Sequence, residues 1–280
     1  MERLLTGAWD IKGKKDKHDT EGEPMRTVLS SIYEAFKGRG FAAALAAAVL
    51  VLLLASAEGV IEAYRAPWLL QYGYHSELIE HALTGEIMTL ALPIIAALPF
   101  TAAIVDDMKS GFIKFYLSRT SRSAYLAGRI IACGLSGALV LLLGTAFSWG
   151  ILALLLLPKE SLPVLFDAAG NSITYVSPIW GTLFRIFASG AFWAMLGMLI
   201  GTASMSRYMA YASPFVVYYV LIILCERYFD SLFVLYPKEW LAPSSRWIFG
   251  ETGALLIISE LAVIAGILAA VVGRRRISDD

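Results

Sequence analysis

The chain has 280 residues, of which 58% are hydrophobic and only 16% charged; soluble domains carry roughly a quarter charged residues, so the composition excludes an ordinary soluble domain and identifies a membrane protein. Its 23 basic and 23 acidic side chains cancel, which leaves nucleic-acid binding without support. Cys133 and Cys225 lie in or beside apolar runs without metal-ligand spacing, so they read as packing residues and not as a disulfide framework or a zinc site.

Residues 1–25 include "KGKKDKHDTEGEP", a charged, turn-rich tail with no apolar period and no fold of its own. From Met25 the pattern turns helical: Val28, Leu29, Ile32, Tyr33 and Phe36 recur on one side, and Arg26, Ser30, Glu34 and Lys37 on the other. This predicts an amphipathic helix over 26–38 lying at the membrane interface, separated by a bend at Gly38 and Gly40 from the first long apolar run.

A spanning helix needs about 20 mostly apolar residues. Six stretches qualify, at 41–57, 87–105, 130–157, 180–205, 211–229 and 253–273, predicting an all-α integral membrane protein. Ala55-Ser56-Ala57 resembles a signal-peptidase site, but the polar chain before the run is far longer than a signal's charged start, so the first span is expected to stay. Pro93 and Pro99 interrupt the second span, freeing carbonyls and permitting a bend. The third is long enough to tilt or to project.

Lys and Arg set the orientation. Connections on the side of residues 1–40 and 274–280 carry 17 of them and the opposite side five, counting Arg227 at the outer end of the fifth span, while Arg185 lies inside the fourth. Both termini and the segment 106–129 are therefore expected in the cytoplasm of a cell with this chain in its plasma membrane.

That segment, "DDMKSGFIKFYLSRTSRSAYLAGR", is longer and more structured than a turn between spans requires. Phe112, Phe115 and Tyr116 fall at helical spacing, with Ile113 and Leu117 beside them and Lys109, Lys114, Arg119 and Arg122 around them. Thr120 or Ser121 is placed to cap a new helix. Two readings fit: a surface helix dipping aromatics into the headgroups while its cations meet anionic lipid, or a docking helix that takes up the motion of a cytoplasmic partner.

The segment resembles the connection after the second span in permease subunits of the type-two ABC exporter class. Asp107, Gly111, "FIKFYL", "RTSR" and Arg129 stand, in order, where that family has an acidic residue, a glycine, a hydrophobic coupling helix, a small proline-containing element and a basic residue. Here Asp107 replaces the usual glutamate, Arg119-Thr120 the proline element, and Arg129 the usual lysine. Six spans, inward termini and an interfacial N-terminal helix extend the likeness over nearly the whole chain. The resemblance implies that Asp107, Gly111, Phe112, Phe115, Tyr116, Arg119 and Arg122 couple to a separate ATP-binding subunit. It also implies a second permease, identical or paralogous, to complete the pathway. The chain contains no G-x-x-x-x-G-K-[ST], so ATP and Mg would belong to the partner and this chain would be no enzyme. A membrane immunity or sensor subunit binding a cytoplasmic regulator is the alternative. A secondary transporter is disfavoured, because neither inverted repeats nor several mid-membrane charges are apparent.

Gly190, Ala194, Gly197, Gly201 and Ser204 form a stripe of small residues on the fourth span, predicting close helix packing within the subunit or between two. Arg185 and Glu260 lie inside spans at similar depth; they either pair, or Glu260 lines a translocation path. Between the fifth and sixth spans, Trp240 and Trp247 are expected at headgroup level. "HSELIEH" at 75–81 places two histidines and two glutamates together, but it lacks H-E-x-x-H and a second cluster, so a solvated outer helix is expected and no metal. No constellation for hydrolysis is evident.

Overall fold

The computed structural model describes residues 25–66, 70–71, 73–118, 120–161, 165–166, 172–173 and 179–279. The tail before Met25, and Arg119 among the docking candidates, lie outside them.

Helix α1 covers residues 25–37, and Gly38 separates it from α2, Arg39–Arg65. Then come α3 (Tyr74–Thr84), α4 (Glu86–Ala97), α5 (Ala103–Lys109) and α6 (Phe112–Leu117). The long α7 (Arg122–Leu156), α8 (Ile179–Ser204), α9 (Arg207–Arg227), the short α10 (Pro237–Leu241) and α11 (Gly250–Asp279) complete the order. Among the described residues five helices are long and apolar enough to cross a membrane, or six if α3 and α4, which meet at 72°, count as one span. By that measure this is a helical, multi-pass membrane protein. Among the described residues strands are confined to two-residue pieces: β1 (Leu70–Gln71) pairs parallel with β2 (Glu160–Ser161), and β3 (Leu165–Phe166) antiparallel with β4 (Ser172–Ile173).

Helix α8 is central, packing on α7, α9 and α11. Its small residues make this possible, and the partners lie within the chain. A Cβ on Gly190 would come 2.6 Å from Gly137 O of α7, and one on Gly137 2.5 Å from Ala194 Cβ. Cβ atoms on Gly197 and Gly201 would meet Ala210 of α9 at 2.6 and 2.5 Å. The stripe thus seats α8 between α7 and α9, with backbones close enough for dispersion and weak C–H contacts to replace the hydrophobic drive that lipid removes.

The second apolar stretch is broken by one of its prolines only. Pro93 sits inside α4, whereas the helix stops at Ala97, turns through Pro99 and resumes at Ala103. Proline withholds an N–H from the ladder, and the Thr101 hydroxyl takes up the Ala97 carbonyl in the opened turn. Gly40 lets α2 approach this break: a Cβ there would lie 3.0 Å from Leu98 O.

The sequence placed Trp240 and Trp247 among lipid headgroups; both are buried. Helix α10 folds back over the bundle end, so Trp240 packs on Phe192 and Trp193 at 5.3 and 5.8 Å and donates to Val234 O. Trp247 donates to Glu239. Aromatics left outside there include Tyr228, Phe229 and Phe249.

Candidate functional site

The end of the bundle carrying residues 103–129 is organised by Arg129. Helix α7, with 35 residues, is about 52 Å long at 1.5 Å per residue, well beyond the roughly 30 Å of a bilayer core, so its first turns have room to project. Ser121 starts it, accepting from Ala124 N as an N-cap. Tyr125 and Arg129, one turn apart, point into the joint between α1, α5 and α7.

Arg129 Nη2 lies 2.7 Å from Asp107 Oδ2 on α5, and Nη1 lies 2.5 Å from Glu34 Oε2 on α1. The Tyr125 hydroxyl donates to the same Asp107 oxygen at 2.6 Å. The guanidinium also lies over the Phe100 and Tyr125 rings, at 5.3 and 5.6 Å, a cation–π arrangement available to arginine's planar head. Burial raises the Asp107 carboxyl above its ordinary value, an effect countered by the Tyr125 hydroxyl and the Arg129 charge. Because both partners stabilise the anion at hydrogen-bonding distance, the geometry is that of an ion pair.

Helix α6 is mounted on this joint. Gly111, at φ 73°, occupies the left-handed region that glycine tolerates without cost, and turns the chain from α5 into α6. Ile113 is buried in a cluster with Ile104, Met108, Tyr125, Met198 of α8 and Ala269 of α11. Tyr116 lies between Phe112 and Tyr125, at 5.6 and 5.4 Å. Phe112 is 44% and Phe115 78% exposed, so α6 anchors one side in the bundle and offers an aromatic side outward. Beside it is an open cavity of about 570 Å³ lined by Ser31, Glu34, Asp107, Phe112, Phe115 and Arg129, among others.

Of the docking candidates, Asp107, Gly111, Phe112, Phe115 and Tyr116 are brought together here, while Arg122 is exposed at the first position of α7. Sequence reasoning misses Glu34, Phe100 and Tyr125 as members of this joint, and reaches Arg129 only through the family pattern. The Tyr125–Arg129 spacing of four is a usable signal. Helix α1 docks through Thr27, Ser31 and Ala35, which are buried, while Leu29 and Tyr33 face outward; Ser31 and Thr27 lie against Gly128. Of the apolar side read from the sequence, Val28, Ile32 and Phe36 are half-buried, and the polar side, Arg26, Ser30, Glu34 and Lys37, is exposed.

The intramembrane pair takes a different form from the Arg185–Glu260 alternative. Arg185 Nη1 binds Glu251 at 2.5 Å, Nη2 donates to Thr182 and Nε to Leu241 O, tying α8 to α10 and α11. Thr182 in turn donates to Glu80 of α3. Glu260 is exposed on α11. In "HSELIEH", His75 is engaged with the fully buried Glu160 carboxylate, Nδ1 to Oε1 2.8 Å, which also accepts from the Gly73 and His75 amides. No group of three metal-ligating side chains occurs among the described residues.

No protein-family model, no curated protein and no solved structure matches this chain.

Proposed function

We propose that the chain is the permease half of an ATP-driven exporter, built on six spans with both termini in the cytoplasm, and that α6 is the helix through which a separate ATP-binding subunit moves it. In this reading the second span, residues 87–105, runs through α4 and into the start of α5 across the break at Pro99. A twelve-residue α4 alone would cover only about 18 Å. The protein lies in the plasma membrane among its lipids, the partner holds ATP and Mg, and a second permease, identical or paralogous, completes the pathway.

The observation that carries this reading is the two-sided mounting of α6: Ile113 sits in a cluster that includes α7, α8 and α11, while Phe115 is 78% exposed. A surface helix serving only to hold lipid has no need of a connection to three spans. Force on Phe112 and Phe115 would pass through Ile113 and Tyr116 to the spans, and the Arg129 ion pairs would make α1, α5 and α7 move as one body. The motion would open the two permease halves alternately to either side.

Affinity purification in mild detergent tests the reading. A copurifying ATPase that is lost on Phe112→Ala/Phe115→Ala, with membrane insertion unchanged, supports it. Retention of the ATPase by that variant, or recovery of a signalling protein without nucleotide-binding motifs, overturns it in favour of the immunity or sensor alternative.

A further inference from the structure

Glu260 sits on the wrong side of its helix for a core residue. Helix α11 packs inward through Ala254, Ile258, Ala262, Ala265 and Ala269, all buried, a mostly alanine stripe that follows the helical period against α8. Positions 259 and 260 fall on the opposite surface and are exposed. No rotation of α11 could bury Glu260 without expelling that whole stripe.

Its depth makes the exposure costly. Within the apolar run 253–273, Glu260 lies about 10 Å from one end and about 20 Å from the other, deeper than a side chain with two methylenes spans. Among the described residues no hydrogen bond or ion pair reaches it. Beside it, the Ser259 hydroxyl already donates to Leu255 O at 2.8 Å. Around it the exposed surface is apolar: Leu256, Val263, Ile264, Ile267, Leu268 and Val271. A water-filled path would need several polar groups at this depth, and this surface offers a single carboxylate. Ionisable groups within a span pair, or face protein or water, and among the described residues no donor of this chain meets Glu260.

We infer that the Glu260 face of α11 is the docking surface for a transmembrane helix of a different polypeptide, one that carries a lysine or arginine at the depth of Glu260. Charge complementarity selects this occupant. A second copy related by a two-fold axis along the membrane normal presents another Glu260 at equal depth, and like charges there repel. Nor does its Arg185 offer a cation, being buried against its own Glu251. The surrounding aliphatic side chains supply the packing, and the ion pair fixes register and partner choice. The inference is independent of whether an ATPase docks on α6.

The test uses the full chain in the membranes of its own host, with a photoreactive residue at Val263 or, in a second variant, at Val271. The expected product is a crosslink to a different polypeptide, on an apolar span with Lys or Arg at matching depth. Its yield should fall about tenfold in Glu260→Leu and return when Glu260→Lys is combined with a change of the partner's basic residue to Glu. A crosslink to a second copy, adducts with lipid alone, or a yield unchanged by Glu260→Leu at both positions overturns the inference.

Discussion

Arg129 meets Asp107 at 2.7 Å, joining the first turns of α7 to the last turn of α5 on either side of α6. Both ends of α6 are therefore fixed to one buried charge, whose second arm reaches α1 through Glu34. Replacing Arg129 by Leu strands Asp107 without its cation. The expected loss is about 3 kcal/mol, at the low end for a broken buried pair because Glu34 is 59% exposed. Tyr125→Phe, which removes one hydrogen bond to a charged group, should cost about 1–2 kcal/mol. Thermal melts in detergent followed by tryptophan fluorescence measure both. If the three groups act as one network, the double variant loses less than the sum.

Gly190 tolerates no side chain, since its Cβ would sit 2.6 Å from a backbone oxygen of α7. Gly190→Ala should destabilise by about 1–3 kcal/mol. Gly150 in α7 has nothing within 4 Å of a Cβ, so Gly150→Ala should be neutral or stabilising by up to about 1 kcal/mol. The same melts report the contrast, and equal effects at the two glycines would count against the close packing of α7 on α8.

Arg185 ties three elements together through both Nη atoms and its Nε. Glu251→Gln keeps a hydrogen-bonding group but removes the anion, and is expected to cost about 1–2 kcal/mol, reduced by the 59% exposure of Glu251. Glu260→Gln should leave the melting temperature of the isolated chain unchanged, because the side chain touches no polar partner among the described residues. A large loss in the latter variant would mean that Glu260 turns inward.

The topology has its own check. A cysteine at Lys114, exposed on α6, should react with a membrane-impermeant maleimide only after the cells are opened. Labelling of intact cells would put the docking helix on the outside and remove the proposed motor's access to it.

The long helices were legible because a bilayer imposes length: some 20 apolar residues in a row leave few alternatives. The same reasoning located the break near Pro93 and Pro99 but did not choose between them, since spacing alone does not show that the helix runs through Pro93 and stops before Pro99. Trp240 read as an interfacial anchor because aromatic enrichment looks alike at a headgroup and in a cap over the bundle; only the fold of α10 onto Phe192 and Trp193 separates them. Glu34 was visible merely as the polar side of α1, as its partner lies 95 residues away. Arg185 found Glu251 and not Glu260 because depth is readable from sequence and facing is not.

Phe115 offers the most direct test of the central claim, that α6 links this membrane bundle to a separate motor. A photoreactive residue in its place, in cells carrying the intact complex, should form one principal adduct with a polypeptide that bears a phosphate-binding loop and hydrolyses ATP. Exclusive reaction with lipid, or with a protein lacking any nucleotide site, would contradict the account.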